Sequence, residues 1–146
     1  GDVYKRQVLA ARSASFIQAF CKIGLVPDSG GTWLLPRLVG MARAKALAML
    51  GDRLGAEQAQ QWGLIHRVVD DAALRDEALT LARQLATQPT YGLALIKRGL
   101  NASFDNGFDE QLELERDLQR LAGRSEDYRE GVSAFMNKRT PDFKGC

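Results

Sequence analysis

The chain holds one histidine, two cysteines and four prolines in 146 residues. A lone histidine with Cys21 and Cys146 cannot assemble a zinc site, and two cysteines make no disulfide framework. A reduced, cytoplasmic protein without a metal is the expectation. No apolar run approaches the roughly 20 residues that span a bilayer, so no membrane partner is expected. An excess of one charge is also missing. Twenty Lys and Arg against 18 Asp and Glu leave a net +2, far from the dense basic field of a nucleic-acid binder. Residues 1–7, Gly-Asp-Val-Tyr-Lys-Arg-Gln, lack the apolar stretch and small-residue cleavage site of a secretory leader. They lead straight into Val8-Leu9-Ala10-Ala11, as in a chain entering the middle of a domain, and no function is assigned to them.

What is present is an ordinary globular composition, 45% hydrophobic and 26% charged, in a chain long enough to bury a sizeable core. Val8 to Phe16 reads as a short strand and a turn at Arg12-Ser13-Ala14-Ser15, and Phe16 to Leu25 as irregular chain. Trp33-Leu34-Leu35 opens a short helix that Pro36 and Gly40 end. Met41 to Leu50 is helical by propensity and stopped by Gly51; Ala56 to Trp62 is a second helix stopped by Gly63. Leu64 to Val69 reads as a strand, with Asp70 or Asp71 capping a helix from Ala72 to Thr87. Beyond Pro89 the chain is helical: Tyr91–Phe104, Phe108–Ala122, and Glu126–Lys138 capped by Ser125. The expected organisation is an α/β piece over 8–87 and a helical module over 88–146.

The strongest punctuation is Val26-Pro27-Asp28-Ser29-Gly30-Gly31-Thr32. Asp before two glycines at a helix start is a common turn and cap residue. It is also an arrangement in which Gly30 and Gly31 admit close approach of a ligand, the helix N-terminus offers free N–H groups, and Asp28 presents a carboxylate. Both readings fit the same turn. His66, between Ile65 and Arg67, reads as structural, Cys21 as a small buried side chain, and the Glu113-Glu115-Arg116-Asp117 run as a solvated helix face.

Wider context narrows these alternatives. Ile23 to Thr32, Leu35-Pro36-Arg37-Leu38-Val39-Gly40, Leu54-Gly55-Ala56-Glu57-Gln58-Ala59, Trp62-Gly63-Leu64 and Arg129-Glu130-Gly131-Val132-Ser133-Ala134-Phe135 together resemble the crotonase (enoyl-CoA hydratase/isomerase) superfamily. The resemblance runs in order from about Val8 to the end. It implies the C-terminal half of a crotonase-like α/β fold, the end of the spiral core plus a helical oligomerisation module, in a homotrimer or homohexamer. The substrate it implies is an acyl-CoA thioester, with no further cofactor.

The family's hydratases use two glutamates; one lies in the half upstream, and the other would fall at Phe20, which cannot accept a proton. Some isomerases of the family carry an acidic residue at the position of Asp28, so the resemblance implies catalysis by Asp28. Phe20, Pro27, Gly30, Gly31 and Trp33 are expected to line the substrate site. Lys138 and Arg139 are expected to approach the CoA phosphates, although cations also suit a helix C-terminus. The two oxyanion N–H donors would come from upstream sequence. Pro27 to Arg37, Leu85 to Thr90 and Gln119 to Ser125 are similar to members that isomerise a ring epoxide in aerobic phenylacetate breakdown, relatives of those that shift a Δ3 double bond to Δ2. Two alternatives are a hydratase, disfavoured by Phe20, and a catalytically incomplete module that only assembles.

Overall fold

The computed structural model describes residues 8–146, and the unmatched segment 1–7 lies outside the described residues. The chain packs as two units, one through Leu79 and one from Thr80. The division falls within a helix, Leu74–Ala86, where the sequence suggested the break before Pro89.

The first unit is α/β. Strand β1 (Leu9–Ala11) pairs in parallel with β4 (Arg67–Val69), Ala10 opposite Val68. Strand β2 (Ser15–Phe16) pairs antiparallel with β3 (Leu54–Gly55). Two-stranded pairs are marginal by themselves; their support is the helices of the β1-to-β4 crossover. These are α1 (Gly31–Val39), α2 (Met41–Leu50) and α3 (Ala56–Gln61). Leu35 and Val39 lie one turn apart on α1, and Ala44 and Leu47 three apart on α2, so each helix buries one face. Those residues, with Ala10, Leu54, Ala56, Ala59 and Ile65, form the core. Leu54, 2% exposed, is its most enclosed large side chain.

Local expectations needed four corrections. The irregular stretch before Leu25 contains a 3₁₀ helix, Ala19–Ile23. Pro36 sits inside α1 and only Gly40 ends it; the N–H that proline lacks would have met the carbonyl of Thr32, an exposed residue, and so costs little. The strand expected from Leu64 is confined to Arg67–Val69, because Leu64 and Ile65 turn back onto the carbonyl of Ala59. Neither aspartate caps the next helix through its side chain. Asp71 instead accepts the N–H of Ser13 at 3.0 Å, and Asp70 pairs with Arg12 at 3.0 Å. The helix α4 then runs Leu74–Ala86 behind a 3₁₀ turn at Asp71–Ala73.

The second unit continues with α5 (Thr90–Ala102), α6 (Phe108–Ala122) and α7 (Glu126–Met136). Gly99 is buried, and a β-carbon there would meet Leu118 at 3.2 Å; its absence lets α5 and α6 approach closely. An open groove of about 690 Å³ between them is lined by residues that include Ile96, Leu100, Leu112 and Leu118. The Ser125 hydroxyl accepts the N–H of Tyr128 at 3.0 Å, capping α7 as expected. No helix among the described residues is long and apolar enough to cross a membrane.

Candidate active site

The chain approaches Asp28 through a closed loop. The Leu25 N–H donates to the Phe20 carbonyl at 2.9 Å, and the reversal is made at Gly24, whose φ is 72°. Phe20 is thereby tied to the segment that carries Asp28. Cys21, half-buried, packs on the end of α2: a β-carbon on Gly51 would lie 2.9 Å from its sulfur. That explains Cys21 without chemistry.

Asp28 then enters a tight turn. The Gly31 N–H donates to the Asp28 carbonyl at 2.8 Å, and both central residues have positive φ, Ser29 at 50° and Gly30 at 80°. This is the pattern of a type I′ turn. Glycine takes it freely; Ser29 does so at a cost of about 1 kcal/mol. Gly30 also starts α1, its carbonyl accepting from Trp33 at 3.1 Å and Leu34 at 2.9 Å. Gly31 answers a different need, since a β-carbon there would stand 3.2 Å from the Pro27 ring. Backbone constraints on both sides therefore fix Asp28. Its carboxylate is exposed and makes no hydrogen bond or ion pair among the described residues.

Five expected site residues, Pro27, Asp28, Gly30, Gly31 and Trp33, thus meet at one turn, with Phe20 joined to it by the 20–25 loop. Trp33 is 38% exposed, and the Arg37 guanidinium lies 3.8 Å above its ring. Ile23, Leu25 and Val26, leading into the turn, are exposed at 74%, 58% and 76%. Such an apolar run beside a carboxylate is a surface suited to an apolar ligand or a further layer of protein. Asp28 is also the only acidic residue between Val8 and Gly51. His66 is not mid-strand: it precedes β4, is exposed, and gives its backbone N–H to the Val8 carbonyl at 3.0 Å.

Lys138 and Arg139 fall in the second unit and differ from each other. Arg139 closes a bidentate pair on Glu130 at 2.5 and 2.7 Å, and this guanidinium with the N–H of Asp142 holds the Glu130 carboxyl down at about 2. Its charge is committed to the tail of the chain. Lys138, at φ 51°, is exposed and has no side-chain partner among the described residues.

Sequence reading missed Asp127. It is 3% exposed, and its carboxylate accepts the N–H groups of Lys144 at 2.6 Å and Gly145 at 2.9 Å. Its own N–H reaches the Cys146 carbonyl at 3.0 Å. In sequence it is one more acid in a first helical turn, and nothing marks it as a clamp for the chain end.

The chain is similar to known proteins along nearly its whole length. The family model described as enoyl-CoA hydratase/isomerase matches residues 7–146. A 1,2-epoxyphenylacetyl-CoA isomerase from Escherichia coli K12 is 64% identical over 145 residues, covering 99% of this chain and 54% of that protein. A 2,3-dehydroadipyl-CoA hydratase from the same organism is 38% identical, covering 94% and 54%. The crystal structure of an enoyl-CoA hydratase/isomerase from Cupriavidus metallidurans CH34 superposes with a TM-score of 0.89 at 37% identity, over 95% of this chain and 52% of that one. The chain spans about half the length of the relatives it matches.

Proposed function

Because the chain belongs to the enoyl-CoA hydratase/isomerase (crotonase) family, we propose that a protein carrying it at its relatives' full length is an acyl-CoA isomerase. Asp28 is its acid–base. The observation that carries this reading is the placement of Asp28, an exposed carboxylate fixed by the Ser29-Gly30 turn beside an apolar approach. Phe20, in the loop tied to it, supplies no second carboxylate. The similarity at 64% to a 1,2-epoxyphenylacetyl-CoA isomerase supports a ring-epoxide acyl-CoA as the native substrate class, and with it a role in phenylacetate catabolism.

In the simpler double-bond shift, the Asp28 carboxylate removes a proton from the carbon beside the thioester of a 3-enoyl-CoA. The C–H electron pair moves into a dienolate. The same carboxylic acid then returns the proton at C4, and the double bond comes to rest in conjugation at C2–C3. The step is balanced, and one positioned carboxylate suffices for it. The charge gathers on the thioester oxygen, which needs N–H donors. Hydration would need a base to activate water and an acid to protonate the adjacent carbon, the work of two carboxylates. Assembly into trimers or paired trimers through the helical module, and contact of Lys138 with CoA phosphate, belong to the same reading. Arg139, already paired with Glu130, is the weaker contributor.

The test is to offer the full-length protein trans-3-hexenoyl-CoA and, separately, crotonyl-CoA with water as co-substrate. Ultraviolet absorbance of the conjugated thioester rises in the first case and falls in the second. The reading expects isomerisation with hydration at least a hundredfold slower. Hydration at a comparable rate would overturn it.

A further inference from the structure

We infer that Arg37 is a positioning residue for the acyl site, acting through Trp33; this rests on the reading that Trp33 contacts the acyl group. Trp33 is the third residue of α1. Side chains on a helix lean toward its N-terminus, and Trp33, in the first turn of α1, follows directly on the turn that carries Asp28. Arg37 stands one helical turn further on and grips Trp33 at two points. Its Cζ lies 3.8 Å above the indole centroid, and its Nη1 donates to the Trp33 carbonyl at 2.9 Å.

The second attachment matters. A guanidinium anchored only by its charge can slide over a ring, whereas one also bonded to the backbone of the same residue is fixed in plane. Held at both points, it covers one face of the indole and limits the orientations open to the ring. The planar fork is what permits both contacts; an ammonium supplies charge without the stack. Arg37 is exposed and has no ion-pair partner among the described residues, so the pairing with Trp33 accounts for its place. An ordinary surface pair would contribute to helix stability alone. A positioning pair also sets how well the acyl chain is held.

The experiment uses the full-length protein with Arg37→Leu, Arg37→Lys, Trp33→Leu and the Arg37→Leu/Trp33→Leu double variant. Turnover of trans-3-hexenoyl-CoA gives kcat and KM, and titration with unreactive hexanoyl-CoA gives Kd. Arg37→Leu is expected to raise KM and Kd by about three- to fivefold, the factor carried by one exposed cation–π contact, with a smaller fall in kcat. Arg37→Lys is expected between it and wild type. In the Trp33→Leu background the Arg37→Leu change should add nothing. A lowered Tm with unchanged Kd, or an equal loss in both backgrounds, would overturn the inference. Absence of isomerisation with hexanoyl-CoA still bound sinks the double-bond-shift reading alone and leaves the Kd series to decide on Arg37. Absence of hexanoyl-CoA binding overturns both.

Discussion

Ser29 shows most directly how a single residue is used at the candidate site. A serine at φ 50° is held where a glycine would sit more comfortably, so the turn is set by its surroundings and not by the preference of that residue. Ser29→Val should lower stability by about 1–2 kcal/mol, because a β-branched side chain tolerates positive φ poorly. Ser29→Gly should be nearly neutral, since relief of strain is offset by chain entropy. Chemical denaturation of the two variants checks both, and an undisturbed Ser29→Val midpoint would contradict the turn assignment. The Pro-Asp-Ser-Gly-Gly run announced a turn and a helix start in the sequence, and both are there. What it could not announce is that Gly31 answers to the Pro27 ring at 3.2 Å, a contact that exists only once the turn has closed.

Elements were read best where one local signal decides. Met41–Leu50 stops at Gly51 because helix propensity and glycine agree, and Phe108–Ala122 keeps its bounds because hydrophobic period and glycine agree. They were misread where a distant partner decides. Asp71 looked like a helix cap, and it is taken instead by the backbone of Ser13, 58 residues away. The chain end is another such case, tied to α7 by Asp127 and Glu130. Glu130 has its carboxyl lowered from 4.5 to about 2. A depressed carboxylate contributes stability above its ordinary pKa and loses it as pH falls through the folded value. Attachment of the tail should therefore weaken between pH 4.5 and 2, and the Asp142 amide resonance should follow that titration. In Glu130→Gln the resonance should already sit at its low-pH position at neutral pH; a wild-type-like shift in that variant would show that the carboxylate does not hold the tail. At the other end of α7, Ser125→Ala should cost about 1 kcal/mol through loss of the Tyr128 cap.

For the whole molecule, the distribution of exposed apolar residues is the informative quantity. Val26, Phe108, Phe135 and Met136 are each at least 74% exposed, more than isolated surface residues require when several share a stretch. The chain also spans about half the length of its relatives. Residues 1–146 expressed alone should therefore form ill-defined aggregates and bind a hydrophobic dye, where the full-length protein should form a discrete assembly and bind little. Light scattering and dye fluorescence at matched concentration would decide, and a monodisperse, dye-silent monomer would contradict this.

Family membership was legible because the motifs recur in order along most of the chain. The partners of Arg139 and Asp127 were not, because both are set by where the tail lands. The central claim concerns Asp28, and one comparison tests it most directly: kcat for a 3-enoyl-CoA in the full-length protein with and without Asp28→Asn, beside the Kd of hexanoyl-CoA. The side chains are nearly equal in size, so binding should stay within about threefold while kcat falls by about 10²–10⁴, the range ascribed to a positioned general base. Equal turnover in the two proteins would contradict the account.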